Sequence, residues 1–130
     1  MVLCGGRSGR AFQALAPCTA AFASPQFVPI TGTLGTILID ADCQHVYVLN
    51  TTFNRIEDFS LQTMTLRPPI QVGSLPVSMD LTPDGQYLYV SNSGGNNLSV
   101  VSLPLRVETR KIIVPADSSG RDRPSSIAIA

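Results

Sequence analysis

Few side chains in this sequence have the chemistry for catalysis or metal binding. His45 is the sole histidine, and Cys4, Cys18 and Cys43 are the three cysteines. A zinc or redox site draws its ligands from short repeated spacings such as C-x-x-C, and none of these residues stands in one. A lone histidine just after a hairpin turn reads as structural. Asp42 and Asp84 occupy matching places in two similar stretches and read as turn formers, whose carboxylates bond nearby backbone. Asp80 alternates with apolar neighbours, which places it at a central channel or where two sheets meet. Ser93-Gly94-Gly95-Asn96 is glycine-rich, but no helix follows to offer anion-binding amides. G-x-S-x-G, P-loop and dinucleotide fingerprints are also missing. The sequence therefore assigns no catalytic residue, no metal ligand and no cofactor.

Composition narrows the classes further. Hydrophobic residues make up 44% and charged residues 14% of the 130, which describes a globular chain. Val, Ile and Leu come in short runs broken by ten Gly and ten Pro, a mixture that favours strands and turns. Nine basic and nine acidic residues cancel without a basic stripe, which argues against nucleic acid as a partner. No apolar run approaches the ~18 residues of a transmembrane helix.

The elements that must position these residues repeat. A shift of 42 positions lays residues 36–61 on 78–103 without a gap, and eight of the 26 pairs are identical. Chance would give roughly two. The identities include Asp42/Asp84, Tyr47/Tyr89, Val48/Val90, Asn50/Asn92 and Asn54/Asn96. Each unit reads as four short strands. In the second unit these are residues 77–81, 87–91, 98–103 and 106–114, with Thr82-Pro83-Asp84-Gly85 as a turn after the first. Ala41-Asp42-Cys43 replaces Pro83-Asp84-Gly85 in the first unit, so Cys43 is expected in a left-handed backbone conformation. Four antiparallel strands with a period in the forties make the blade of a β-propeller. The fold expected is all-β, a partial propeller of consecutive four-stranded blades: blade one about 34–73, blade two about 76–114, and a strand of a next blade at 124–130. Equivalent apolar residues, Ile37, Ile39, Val46 and Val48 against Met79, Leu81, Leu88 and Val90, are expected to join the sheets.

Tyr47-Val48-Leu49-Asn50 and Tyr89-Val90-Ser91-Asn92, with Pro83-Asp84-Gly85 before the second, resemble the Tyr-Val-Thr-Asn (YVTN) family of β-propeller repeats. Leu49 and Ser91 depart from that family's threonine. The resemblance covers about residues 25–130 and implies a secreted or cell-envelope protein, related to seven-bladed lactonases and quinoprotein-like propellers. Residues 1–23 read as a signal peptide or leader. Arg7 and Arg10 precede a broken apolar stretch, and Ala21-Phe22-Ala23 has the form of a cleavage site.

Two functions follow from the resemblance. The first is a non-catalytic binding or scaffold module. The alternative is a fragment of a propeller enzyme, a lactonase or quinoprotein-like oxidoreductase, with its site in the central channel. The expected partners are other propeller blades, in a longer chain or by self-association, and a protein or carbohydrate ligand. Binding is expected on the rim formed by the second-to-third-strand loops and the loops between blades, which are longer and more varied than the turns opposite. The residues proposed there are Asn50, Asn54, Asn92, Asn96, Asn97, Arg121 and Arg123, whose amides and guanidinium groups can donate to carboxylates or sugar hydroxyls. Asn50 and Asn92 also read as strand stops that bond loop backbone.

Overall fold

A computed structural model describes residues 27–115 and 123–130. Two four-stranded antiparallel sheets account for all regular structure among them. The first contains β1 (Leu34–Ile39), β2 (His45–Asn50), β3 (Arg55–Ser60) and β4 (Thr65–Gln71) in that order. The second contains β5 (Pro76–Leu81), β6 (Tyr87–Asn92), β7 (Asn97–Ser102) and β8 (Val107–Ile113), again in chain order. The repeat is thus two consecutive meander sheets, as expected.

Equivalence extends to the backbone irregularities. Both first strands shift register near their start, at Leu34/Ile37 and Pro76/Ser78, and both third-to-fourth ladders shift once. The left-handed turn positions also recur: Cys43 with Gly85, Asn54 with Asn96 and Met64 with Arg106 all have positive φ. Asparagine accepts that conformation through its short polar side chain, whereas Cys43, Met64 and Arg106 do so against an intrinsic preference of roughly 1 kcal/mol or more each.

The sheets pack with Leu38, Tyr47, Leu49, Ile56 and Ile70 of the first against Met79, Leu81, Leu88, Val90 and Val101 of the second. Fully burying one such side chain contributes roughly 1.5–3 kcal/mol. This corrects half of the expected seam. The blade-two residues are as predicted, but Ile37 and Ile39 are 61% and 53% exposed, and they share the opposite face of blade one with their ladder partners Val48 and Val46. The reason is geometric. Blades stack front to back, so residues at equivalent positions face the same way and cannot meet each other. Asp80 stands where Leu38 stands in blade one, on the far face of blade two. Its Oδ2 accepts the Ile129 amide at 2.6 Å, and Ser78 Oγ accepts that of Ile127 at 3.4 Å. Of the two places expected for Asp80, it takes the blade interface. Residues 123–130 lie along β5 by these side-chain bonds and form no strand.

The candidate functional sites on two rims

The antiparallel order sorts the connections onto two rims. One carries the β2–β3 and β6–β7 turns and the β4–β5 connection; the other carries the β1–β2, β3–β4, β5–β6 and β7–β8 turns.

On the first rim the asparagines divide into two groups. Asn50 and Asn92 are fully buried, and Asn97 nearly so. Asn50 Nδ2 donates to the Thr31 carbonyl and to Glu57 Oε1, both at 2.8 Å, while its Oδ1 accepts the Phe53 amide at 3.3 Å. Arg55 Nε reaches the same Glu57 oxygen at 2.6 Å. Asn92 Nδ2 donates to Ser99 Oγ at 2.8 Å and Asn97 Oδ1 at 2.9 Å, and Asn97 returns a bond to the Gly95 carbonyl at 2.9 Å. The chain passes directly over both latches. A Cβ at Gly32 would lie 2.6 Å from Asn50 Oδ1, and one at Gly73 would lie 2.5 Å from Asn92 Nδ2, so only glycine lets the backbone approach this closely. These three amides turn into the blades, and Asn50 bonds loop backbone as read, whereas Asn92 bonds the side chains of Asn97 and Ser99 instead. Asn54 and Asn96 hold the left-handed turn positions and are partly exposed, and Asn54 Oδ1 accepts the Leu75 amide at 2.9 Å. Arg123 is exposed. Arg121 lies outside the described residues, as do residues 1–23.

The second rim holds a cluster that sequence reading missed. Asp58 on β3 is completely buried, yet it carries a carboxylate. His45 Nδ1, at the start of β2, donates to Asp58 Oδ1 at 2.7 Å. Arg106, from the β7–β8 turn of the other blade, binds Asp58 Oδ2 and the Pro68 carbonyl. Arg67 NH1 on β4 lies 3.6 Å from Asp58 Oδ2, an ion-pair distance too long for a hydrogen bond. A buried carboxylate survives because hydrogen bonds and opposite charge replace the water it loses. The His45 ring stacks on Tyr47, with centroids 5.8 Å apart and planes 11° from parallel. Burial pushes the Tyr47 phenol well above its ordinary range, and the charge of Asp58 adds to this, so the ring stays neutral.

The turn aspartates work as backbone binders, with a transposition. In blade two, Asp84 Oδ1 accepts the Thr82 hydroxyl at 2.6 Å and the Gln86 amide at 3.0 Å. In blade one Asp40, at the position of Thr82, takes the corresponding task by accepting the Gln44 and His45 amides at 2.7 and 3.1 Å. Asp42 contributes only its carbonyl, to Gln44 Nε2. No group of three or more His, Cys, Asp or Glu placed to hold a metal ion occurs among the described residues. Nor does any described helix have the length and apolarity to cross a membrane.

The chain is similar in fold to solved β-propellers. It overlays Kuenenia stuttgartiensis hydrazine synthase with a TM-score of 0.65 at 21% identity, over 82% of this chain and 29% of that one. The β-propeller domain of Myceliophteria thermophila Cps50 (Swd1) gives 0.61 at 12%, over 75% and 29%. Citrobacter koseri AztD gives 0.55 at 16%, over 78% and 27%. The chain thus spans under a third of the length of each. No family model and no curated protein matches it.

Proposed function

We propose that this chain is part of a larger β-propeller that serves as a non-catalytic binding or scaffold module, secreted or held in the cell envelope, and built of YVTN-type repeats. The observation that carries the reading is the exposed front of blade one. Ile37 and Ile39 stand open at the positions where Met79 and Leu81 of blade two are covered by the preceding blade. That face suits another sheet of the same construction, so the unit is designed to work among further blades. The resemblance of Tyr47–Asn50 and Tyr89–Asn92 to the repeat motif supports the family and the compartment.

Ligand contact, to a protein or a carbohydrate, is assigned to the first rim, where the turns held from below by Asn50 and Asn92 present Asn54 and Asn96, and Arg123 follows β8, with Arg121 two positions before it in sequence. An oligosaccharide array probed with the chain tests this, using Asn96→Ala with Arg121→Ala and Arg123→Ala beside Asp42→Ala with Asp84→Ala on the opposite rim. Binding lost only in the first set supports the assignment. Binding lost only in the second places the ligand on the other rim, and no binding to any glycan removes the carbohydrate reading. N-terminal sequencing of secreted protein tests the compartment: a mature chain still beginning at Met1 would count against export through the leader.

A further inference from the structure

The β2–β3 turn holds an aromatic ring at the surface of the first rim. Phe53 is 44% exposed, and the Arg55 guanidinium lies over its ring with Cζ 4.8 Å from the centroid. Glu57 Oε1 holds Arg55 there by accepting its Nε at 2.6 Å, and the Glu57 side chain is only 5% exposed. Asn50 donates to the same oxygen, which fixes the carboxylate from a second side. The Arg55 Nη groups make no hydrogen bond among the described residues. The backbone of the turn is tied as well. The Thr51 amide donates to the Thr33 carbonyl at 2.9 Å, and the Thr51 hydroxyl to the Pro76 carbonyl at 2.8 Å. The Phe53 amide is held by Asn50 Oδ1, and Asn54 Oδ1 accepts the Leu75 amide. A ring presented on so fixed a turn has little freedom to lose when a ligand covers it.

Blade two lacks this arrangement. Gly95, Asn97 and Ser99 stand at the places of Phe53, Arg55 and Glu57 by the 42-residue shift, and the strand ladders agree for the last two. The turn closes there without an aromatic residue or an ion pair, so neither is needed to build a blade. Gly95 is exposed although blade one packs against the front of blade two. A blade in front of blade one would leave the place of Phe53 open in the same way.

We propose that Phe53, with Arg55 beside it, is a stacking platform for an uncharged pyranose ring. The proposal rests on the first rim being the ligand face and names the ligand class for it. The C–H face of a pyranose packs on an aromatic ring, and its hydroxyls need donors at the margin of that contact. Phe53 supplies the ring, and the Arg55 Nη groups supply the donors. Glu57 balances the guanidinium charge, so the platform has no net charge with which to draw an anion. A neutral saccharide therefore suits it better than a uronic acid or a phosphorylated sugar.

An array of neutral pyranose oligosaccharides, from glucans, mannans and chitin, with uronic-acid glycans beside them, is probed with the full chain. The expected result is binding to a neutral member that changes little between low and high salt, since no charge pairing is involved. Phe53→Ala weakens it roughly tenfold, the scale of one lost aromatic contact, and Phe53→Tyr keeps it. The alanine variant retains the turn, because glycine serves at the same place in blade two. Phe53→Trp gives the chain its only tryptophan, whose emission must shift saturably with the same saccharide. Binding that is unchanged in Phe53→Ala but lost in Asn96→Ala with Arg121→Ala and Arg123→Ala overturns the platform and leaves the rim reading in place. Binding lost only in Asp42→Ala with Asp84→Ala overturns both. Binding to acidic glycans alone, or to no member of the array, also overturns the platform.

Discussion

Blade one and blade two share a backbone but not a charge pattern, and the two kinds of feature separate cleanly. The bulges, the left-handed turn residues and the asparagine latches recur at equivalent positions. The buried Asp58 occurs only in the first blade, and Val100 fills its place in the second. What recurs is what a four-stranded blade needs; what does not recur belongs to one seam. Even the latches differ in chemistry. Asn50 bonds a buried carboxylate, Glu57, where Asn92 bonds the Ser99 hydroxyl. Gly95 replaces Phe53 in the loop, and the Asn92 Oδ1, whose counterpart accepts the Phe53 amide, is buried with no hydrogen-bond partner among the described residues.

The largest effect expected is at the position where the blades differ most. Asp58→Ala strands the Arg106 guanidinium in the seam, and removing one partner of a buried pair costs roughly 3–5 kcal/mol. Val100→Ala, at the equivalent site, should cost no more than about 1–3 kcal/mol. Urea unfolding of both variants checks this, and equal losses would mean that Asp58 is no more than a space filler. A smaller contrast separates the latches. Asn50→Ala leaves the Glu57 carboxylate short of a buried donor and should cost more than Asn92→Ala, each within about 1–3 kcal/mol. The reverse order would show that the hydroxyl latch is the stronger one. The smallest effect concerns pH. Because the folded state holds the Tyr47 phenol above its ordinary value of 10.0, the unfolded chain ionises first on the alkaline side. Stability is therefore complete below about pH 10 and declines as pH rises beyond it. Tyr47→Phe should flatten that decline in an alkaline melting series.

Period and turn chemistry made the fold readable. The 42-residue shift located both sheets, and Cys43 was correctly placed in a left-handed turn because it stands where Gly85 does. The face of each strand was harder. Alternation says that Ile37 and Leu38 point opposite ways, but both are apolar, and only the front-to-back stacking decides which is covered. The asparagines of the first rim were visible as a group, yet the inward turn of Asn50, Asn92 and Asn97 depends on the loop passing over them at Gly32 and Gly73. The Asp58 cluster left no local trace. Its members come from β2, β3, β4 and a turn of the other blade, positions 45, 58, 67 and 106, and they meet only when the seam closes.

Front-to-back stacking has a consequence for how such a protein can change over generations. Every blade offers the same kind of front and the same kind of back, so a duplicated blade slipped in at an ordinary seam meets compatible surfaces on both sides. Blade number can then drift without any interface being rebuilt. The seam bridged by Asp58 and Arg106 is different, because the two halves of the pair lie on different blades. A blade inserted there would separate Arg106 from the carboxylate and leave Asp58 with only His45 and Arg67 of its own blade. That bridge ties these two blades to each other in a way that apolar stacking alone does not.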